Sequence, residues 1–159
     1  MNAKSPDRPD DLLLPRDTSR SLPIALLRAR ETVMSRFRPL LAAHDVTEQQ
    51  WRVIRVLGEA GRLDATELAA RSCILAPSLT RILRALDERG LIVRGKDEED
   101  GRRIVVEISD AGHRLIADVM PESRVIYAEM EARFGRARID ALLDMLQELN
   151  AAIGQEPPS

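Results

Sequence analysis

The chain has 159 residues, 44 % hydrophobic and 31 % charged, which fits one compact domain with a real core. Only 3 % are aromatic, so the apolar mass is Leu, Ile, Val and Ala, the residues of helix packing, and the expectation is a mostly α fold. One cysteine, two histidines and a net charge of −2 exclude a disulfide scaffold, a structural zinc site and indiscriminate nucleic-acid binding.

Residues 1–21 hold Pro6, Pro9 and Pro15 among Asp and Arg and read as a disordered N-terminal arm. From Leu22 the pattern changes. Leu26, Ala29, Val33, Phe37 and Leu40 recur at helical spacing, which predicts a first helix to about Ala43, with a bend near Ser35 because Pro39 removes a backbone bond. Thr47-Glu48-Gln49-Gln50 fits a capping box and starts a second helix through Trp51, Ile54 and Leu57, ending near Gly58 or Gly61. Asp64-Ala65-Thr66-Glu67 caps a short third helix through Leu68 and Ala69, and a brief loop follows from Ser72 to Ala76.

Pro77 suits the first position of a fourth helix, whose stripe Leu79, Ile82, Leu83 and Leu86 faces inward and ends before Gly90. Arg81 and Arg84 fall on the opposite face with Pro77 and Ala85, flanked by Ser78 and Thr80, so that the outer face carries two arginines and no acid. Leu91-Ile92-Val93-Arg94 and Arg103-Ile104-Val105-Val106-Glu107-Ile108 predict a two-stranded hairpin with a protruding polar tip. Ser109 or Asp110 caps a long helix to about Met130, with Pro121 as a kink position, and a last helix carries Ile139, Leu142, Leu143, Leu146 and Leu149 on one stripe.

Two short helices, an amphipathic helix with a basic outer face and a hairpin give a winged helix-turn-helix order, in which the second helix of the pair fits the major groove of DNA. The expected contacts are Ser78, Thr80, Arg81 and Arg84 to bases and phosphates, Arg102 in the minor groove and Arg103 on a backbone phosphate. Asp100, two residues before Arg102, is expected to pair with its guanidinium and orient it. An arginine pair alone is equally a solvated face, and the acidic tip alone is equally a charged turn. Charge is uneven, at +2 over residues 1–61, +1 over 62–103 and −5 over 104–159, so the net acidity lies at the C-terminal end.

The chain resembles the MarR transcriptional regulators over roughly residues 21–153. The resemblance rests on Asp64-Ala65-Thr66-Glu67-Leu68-Ala69, on Leu79-Thr80-Arg81-Ile82-Leu83 followed by Leu86-Asp87-Glu88-Arg89-Gly90-Leu91, and on Asp100-Gly101-Arg102 ahead of Ile108-Ser109-Asp110-Ala111-Gly112. Leu26-Leu27-Arg28-Ala29-Arg30-Glu31, Phe37-Arg38-Pro39, Thr47-Glu48-Gln49-Gln50-Trp51-Arg52 and Cys73-Ile74-Leu75-Ala76-Pro77-Ser78-Leu79-Thr80 look like the branch that regulates homoprotocatechuate (hydroxyphenylacetate) degradation operons. The resemblance implies a homodimeric repressor whose first and last helices form the dimerisation body, and an aromatic acid or phenolic catabolite that relieves DNA binding. The chain departs from the family in its long N-terminal arm and its acidic wing, Asp97-Glu98-Glu99-Asp100, whose charge opposes minor-groove contact.

The expected organisation is an arm (1–21), a dimerisation helix (22–46), a winged helix-turn-helix DNA-binding domain (47–109), C-terminal dimerisation helices (110–153) and a flexible tail (154–159). A twofold partner would bury the apolar stripes of the terminal helices and set two recognition helices about 34 to 36 Å apart across a near-palindromic operator; intrachain packing of those helices is the alternative. Arg30, Met34, Phe37, Arg38, Trp51 and Arg55 are the candidate ligand residues, because an apolar pocket with fixed guanidiniums suits a planar carboxylate. Trp51 and Phe37 also read as core, and each arginine as a surface or dimer ion pair.

Cys73, between the third and fourth helices, leaves open a thiol-based redox-sensing regulator of the same fold. A helical interaction module without DNA contact is the remote alternative. Neither His44 nor His113 has a patterned catalytic partner, and no phosphate loop, nucleophile elbow, metal-ligand spacing or paired carboxylates occur, so no enzyme, cofactor or metal is expected. With no apolar run near the roughly 18 residues of a membrane span and no secretory h-region, the expectation is a soluble, cytoplasmic protein.

Overall fold

A computed structural model describes residues 18–154. The described residues divide into two compact units, one ending at Pro39 and the other starting at Leu40, with the boundary inside the first helix. Of the expected arm, residues 1–17 lie outside the described residues, while Thr18–Arg20 is not irregular but a 3-10 turn. The tail lies outside them beyond Gly154.

In the first unit, which holds α1 (Leu22–Ala43) as far as Pro39, the helix starts on the Ser21 carbonyl, which accepts from the Ala25 amide at 2.8 Å. It runs helical through Pro39, whose missing amide costs one bond without ending the helix. Leu22, Leu26, Leu27 and Val33 remain exposed along it, whereas Phe37 is buried.

In the second unit, α2 (Glu48–Ala60) opens with the expected capping box: Thr47 accepts from the Gln50 amide and Gln50 reaches back to the Thr47 amide, both at 3.1 Å. Gly61, at φ 79°, reverses the chain after α2. The chain then enters β1 (Arg62–Asp64), a strand too short for any alternation to be read from sequence. β1 pairs antiparallel with β3 (Ile104–Ile108), which pairs on its other edge with β2 (Ile92–Lys96). The expected two-stranded hairpin is therefore part of a three-stranded sheet ordered β1-β3-β2, with Leu63 opposite Val106 and Arg94 opposite the same residue from the other side.

α3 (Ala65–Ser72) is capped by Asp64 as expected and ends at Cys73, a non-glycine residue in the left-handed region at φ 51°. α4 (Ala76–Glu88) begins one residue before the expected point, so Pro77 takes its second position; the site still tolerates proline because the first-turn amides have no partner inside the helix. α5 (Asp110–Phe134) runs past the expected Met130 and stays helical through Pro121, and α6 (Arg136–Ile153) closes the chain.

The apolar side chains of α2, α3, α4 and the sheet meet in one core. Val53, Ile54, Leu57, Leu68, Leu79, Leu83, Leu86, Ile92 and Val106 are buried there. A second, smaller cluster of Leu40, Leu41 and Val119 is bridged to the first by Trp51 and Leu115. By contrast, α6 has no buried residue: Leu142 and Leu143 are exposed, and Ile139, Leu146 and Leu149 are half-buried. No helix among the described residues is long and apolar enough to cross a membrane.

Candidate nucleic-acid interface

The rotation of α4 is set by its buried stripe, Leu79, Ile82, Leu83 and Leu86. That burial drives Arg81 and Arg84 to the solvent side, where they are neighbours three residues apart. Among the described residues neither side chain makes a hydrogen bond or ion pair, so both guanidiniums keep all their donors for an external partner. Thr80 is exposed, but its hydroxyl donates back to the Ala76 carbonyl at 3.1 Å, which leaves it to act outward as an acceptor. Ser78 is half-buried. Leu75, ahead of the helix, is 80 % exposed and supplies no capping oxygen.

The wing is shaped by its acids. Asp97 Oδ1 accepts from the Glu99 amide and Asp100 Oδ1 from the Arg102 amide, each at 3.1 Å, two local turns that fold the tip. This corrects the expected role of Asp100: its carboxylate holds the main chain of Arg102, and the Arg102 guanidinium stays exposed without a partner among the described residues. Two-residue spacing favours the nearby amide over the long side chain. Behind the tip, the Asp97 amide donates to the Arg103 carbonyl at 3.0 Å and the Arg103 amide to the Asp100 carbonyl at 2.9 Å.

Arg103, expected on phosphate, instead has its guanidinium on the carboxylate of Asp64. Asp64 Oδ1 also accepts from the Glu67 amide at 2.8 Å. That amide bond first, and the Arg103 charge after it, hold the Asp64 carboxyl below its usual value. Because the folded-state value is the depressed one, the stabilisation is complete above the ordinary aspartate range and is lost as pH falls through the folded value.

Three further contacts escaped the sequence reading. Arg94 donates through Nε at 3.0 Å and Nη2 at 2.8 Å to Asp87 Oδ2, tying β2 to the end of α4. Arg52 of α2 donates from Nη1 to the carbonyls of Ser72 at 3.1 Å and Cys73 at 3.3 Å, holding the turn before the recognition helix. Ser109 caps α5 while its hydroxyl donates to the Gly90 carbonyl at 2.6 Å, fixing the root of the wing. Each joins residues from different elements, so no periodicity announces it.

The ligand candidates fall in both units. In the first, Arg30 at 3.2 Å and Arg38 at 2.9 Å share the carboxylate of Glu31, Met34 is half-buried and Phe37 buried. The Arg38 hydrogen bond pulls the Glu31 carboxyl down, and Glu31 raises Arg38 in turn. In the second unit, Trp51 packs half-buried between the two apolar clusters, as its core reading required, while Arg55 is exposed with Nη1 4.0 Å from Met120 Sδ. Cys73 is exposed. Among the described residues no group of His, Cys, Asp and Glu is arranged to hold a metal ion.

Residues 46–104, from the end of the α1–α2 connection to the start of β3, match the MarR family. The homoprotocatechuate degradative operon repressor of Escherichia coli is 40 % identical over 131 residues, 82 % of this chain and 88 % of that protein. Two solved structures share the fold. NadR in complex with 4-hydroxyphenylacetate is 37 % identical with a TM-score of 0.72, covering 94 % of this chain and 97 % of NadR. CouR bound to a 23-mer DNA duplex is 30 % identical with a TM-score of 0.74, covering 80 % of this chain and 91 % of CouR. The winged helix-turn-helix built above, together with likeness at these levels over most of its length, makes the chain a transcriptional regulator belonging to the MarR family.

Proposed function

We propose that the protein is a homodimeric cytoplasmic repressor of an aromatic-acid catabolic operon, released from a near-palindromic operator by a small aromatic acid or phenol. The observation that carries the DNA reading is the pair of guanidiniums of Arg81 and Arg84, without a partner among the described residues, on the outward face of a helix-turn-helix second helix. Ser78 and Thr80 flank them as further major-groove contacts, and Arg102 reaches the minor groove from the wing tip. The effector class follows from the relatives, one named for homoprotocatechuate degradation and one solved with 4-hydroxyphenylacetate. They favour an aromatic effector over thiol sensing at Cys73. Arg30, Met34, Phe37 and Arg38 in the first unit, and Trp51 and Arg55 in the second, are assigned to effector binding.

The experiment uses a duplex selected by the protein from a randomised 30-bp pool, with fluorescence anisotropy as the readout. Adding 4-hydroxyphenylacetate is expected to weaken that complex by about 5- to 150-fold, the usual range of coupling between two sites on one protein. By linkage, the duplex weakens 4-hydroxyphenylacetate binding by the same factor. An affinity that does not move at saturating compound removes this effector class, and failure to select any duplex removes the DNA reading.

The dimer is argued from α6, where Leu142, Leu143, Met145 and Ile153 are between 42 % and 72 % exposed along one helix. A contiguous apolar face of that kind marks an interaction surface, and a second copy offers the same face in return. Leu143→Glu is expected to give a monomer by sedimentation and to cost at least tenfold in operator affinity, because one recognition helix then binds without its twin. A dimer that persists in this variant would take α6 out of the interface.

A further inference from the structure

We infer that Asp64 and Arg103 act as one positioning unit that fixes the wing on the helix-turn-helix, and that Arg103 is not itself a DNA contact. The inference rests on the DNA-binding reading and deepens it. Asp64 stands where three elements meet: it is the last residue of β1, it pairs with Val105 across the sheet, and it caps α3. Its two carboxylate oxygens do separate work. Oδ1 holds the Glu67 amide at 2.8 Å, and Oδ2 holds the Arg103 guanidinium.

Arg103 is equally committed on its own side. Its amide and carbonyl close the wing tip on Asp100 and Asp97, and its side chain runs to Asp64, 39 residues away in sequence. The residue before it, Arg102, has only its main chain held, by Asp100, while its guanidinium projects into solvent. The direction in which Arg102 leaves the wing is therefore set by Asp100 from the tip and by the Arg103–Asp64 link from the body. The pairing also has an electrostatic consequence. If Arg103 left for a phosphate, Asp64 would lose its cation and keep only the Glu67 amide, so the transfer gains one charged contact and gives up another.

The double variant Asp64→Asn plus Arg103→Ala tests this, because it keeps the net charge of the wild type and leaves asparagine as a competent helix cap. The probe is the 30-bp duplex selected from the randomised pool, titrated at NaCl concentrations from about 50 to 200 mM. The double variant is expected to bind about fivefold more weakly with an unchanged slope of log affinity against log salt, at a temperature where its melting curve shows it fully folded. A role in folding alone would leave the affinity of that folded protein where it was. Loss of a phosphate contact would lower the slope by about one per contact removed.

A second measurement follows the wing itself. In the wild-type background Arg102→Ala is expected to cost about tenfold, and in the double-variant background no more than about threefold, because an unanchored wing no longer delivers that arginine. Equal affinity of double variant and wild type, a lowered salt slope, or an Arg102 effect of the same size in both backgrounds would each overturn the assignment. Wild-type protein that binds no selected duplex would instead overturn the DNA-binding reading on which the assignment rests.

Discussion

Replacing Arg81 and Arg84 together by alanine is expected to lower operator affinity at least a hundredfold while leaving the melting temperature within about 2 °C of wild type. The two effects separate because the packing and the proposed DNA contacts fall on opposite faces of the same helix. Leu79, Ile82, Leu83 and Leu86 are buried and carry the packing, whereas both arginines are exposed and bond to nothing among the described residues. Surface changes away from caps and networks usually stay within about 0.5 kcal/mol of stability. A guanidinium that forks onto a guanine contributes roughly 1–3 kcal/mol of discrimination, and in a twofold complex each substitution removes its contact twice. The salt slope should fall as well wherever one of the two meets phosphate. Titration curves of variant and wild type that coincide at physiological salt would remove α4 as the reading helix.

The elements that sequence made legible are those whose signals are local. Thr47 and Gln50 cap each other three residues apart, Asp64 caps α3 over the same span, and the α4 stripe repeats with the helix period, so a short window contains all the physics. The face that holds Arg81 and Arg84 was legible for the same reason. The start of α4 was read one residue late because Pro77 is tolerated at either of the first two positions, and the wing's partner strand β1 was missed because three residues carry no alternation.

What stayed hidden is tertiary. The partner of Arg103 lies 39 residues upstream, the carbonyls held by Arg52 lie 20 and 21 residues downstream, and Asp87 meets Arg94 only because the chain turns between α4 and β2. Each arginine looked alike in sequence, and only the fold sorts them into those held by the protein's own carboxylates and carbonyls and those, such as Arg81, Arg84 and Arg102, without a partner among the described residues. The acids of the wing sort the same way. Asp97 and Asp100 spend a carboxylate oxygen on main-chain amides, so the run that looked hostile to DNA is in part the chemistry that builds the tip.

Gly112→Ala is expected to lower stability by about 2 kcal/mol, a fall of roughly 4–8 °C in melting temperature for a chain of this size. A Cβ at this position would lie 2.4 Å from the Leu91 carbonyl oxygen and 2.6 Å from Ile108 Cγ1. The first of these is backbone and already accepts from the Ser109 amide at 3.1 Å, so it cannot swing aside as the end of a side chain would. Glycine's ordinary cost in a helix, at most about 1 kcal/mol relative to alanine, is too small to offset that overlap, and less so in the first turn. Gly101→Ala is the matched control, since a Cβ there meets nothing within 4 Å and the melting temperature should hold. The contact also joins stability to function. Gly112 lets the start of α5 press against Leu91 at the root of β2, while Ser109 between them bonds to Gly90; forcing these apart shifts the base of the wing relative to α4. Operator affinity of the folded Gly112→Ala protein should therefore fall several-fold beyond what its unfolded fraction explains, and a variant that melts with wild type would show that the wing root tolerates a side chain the packing leaves no room for.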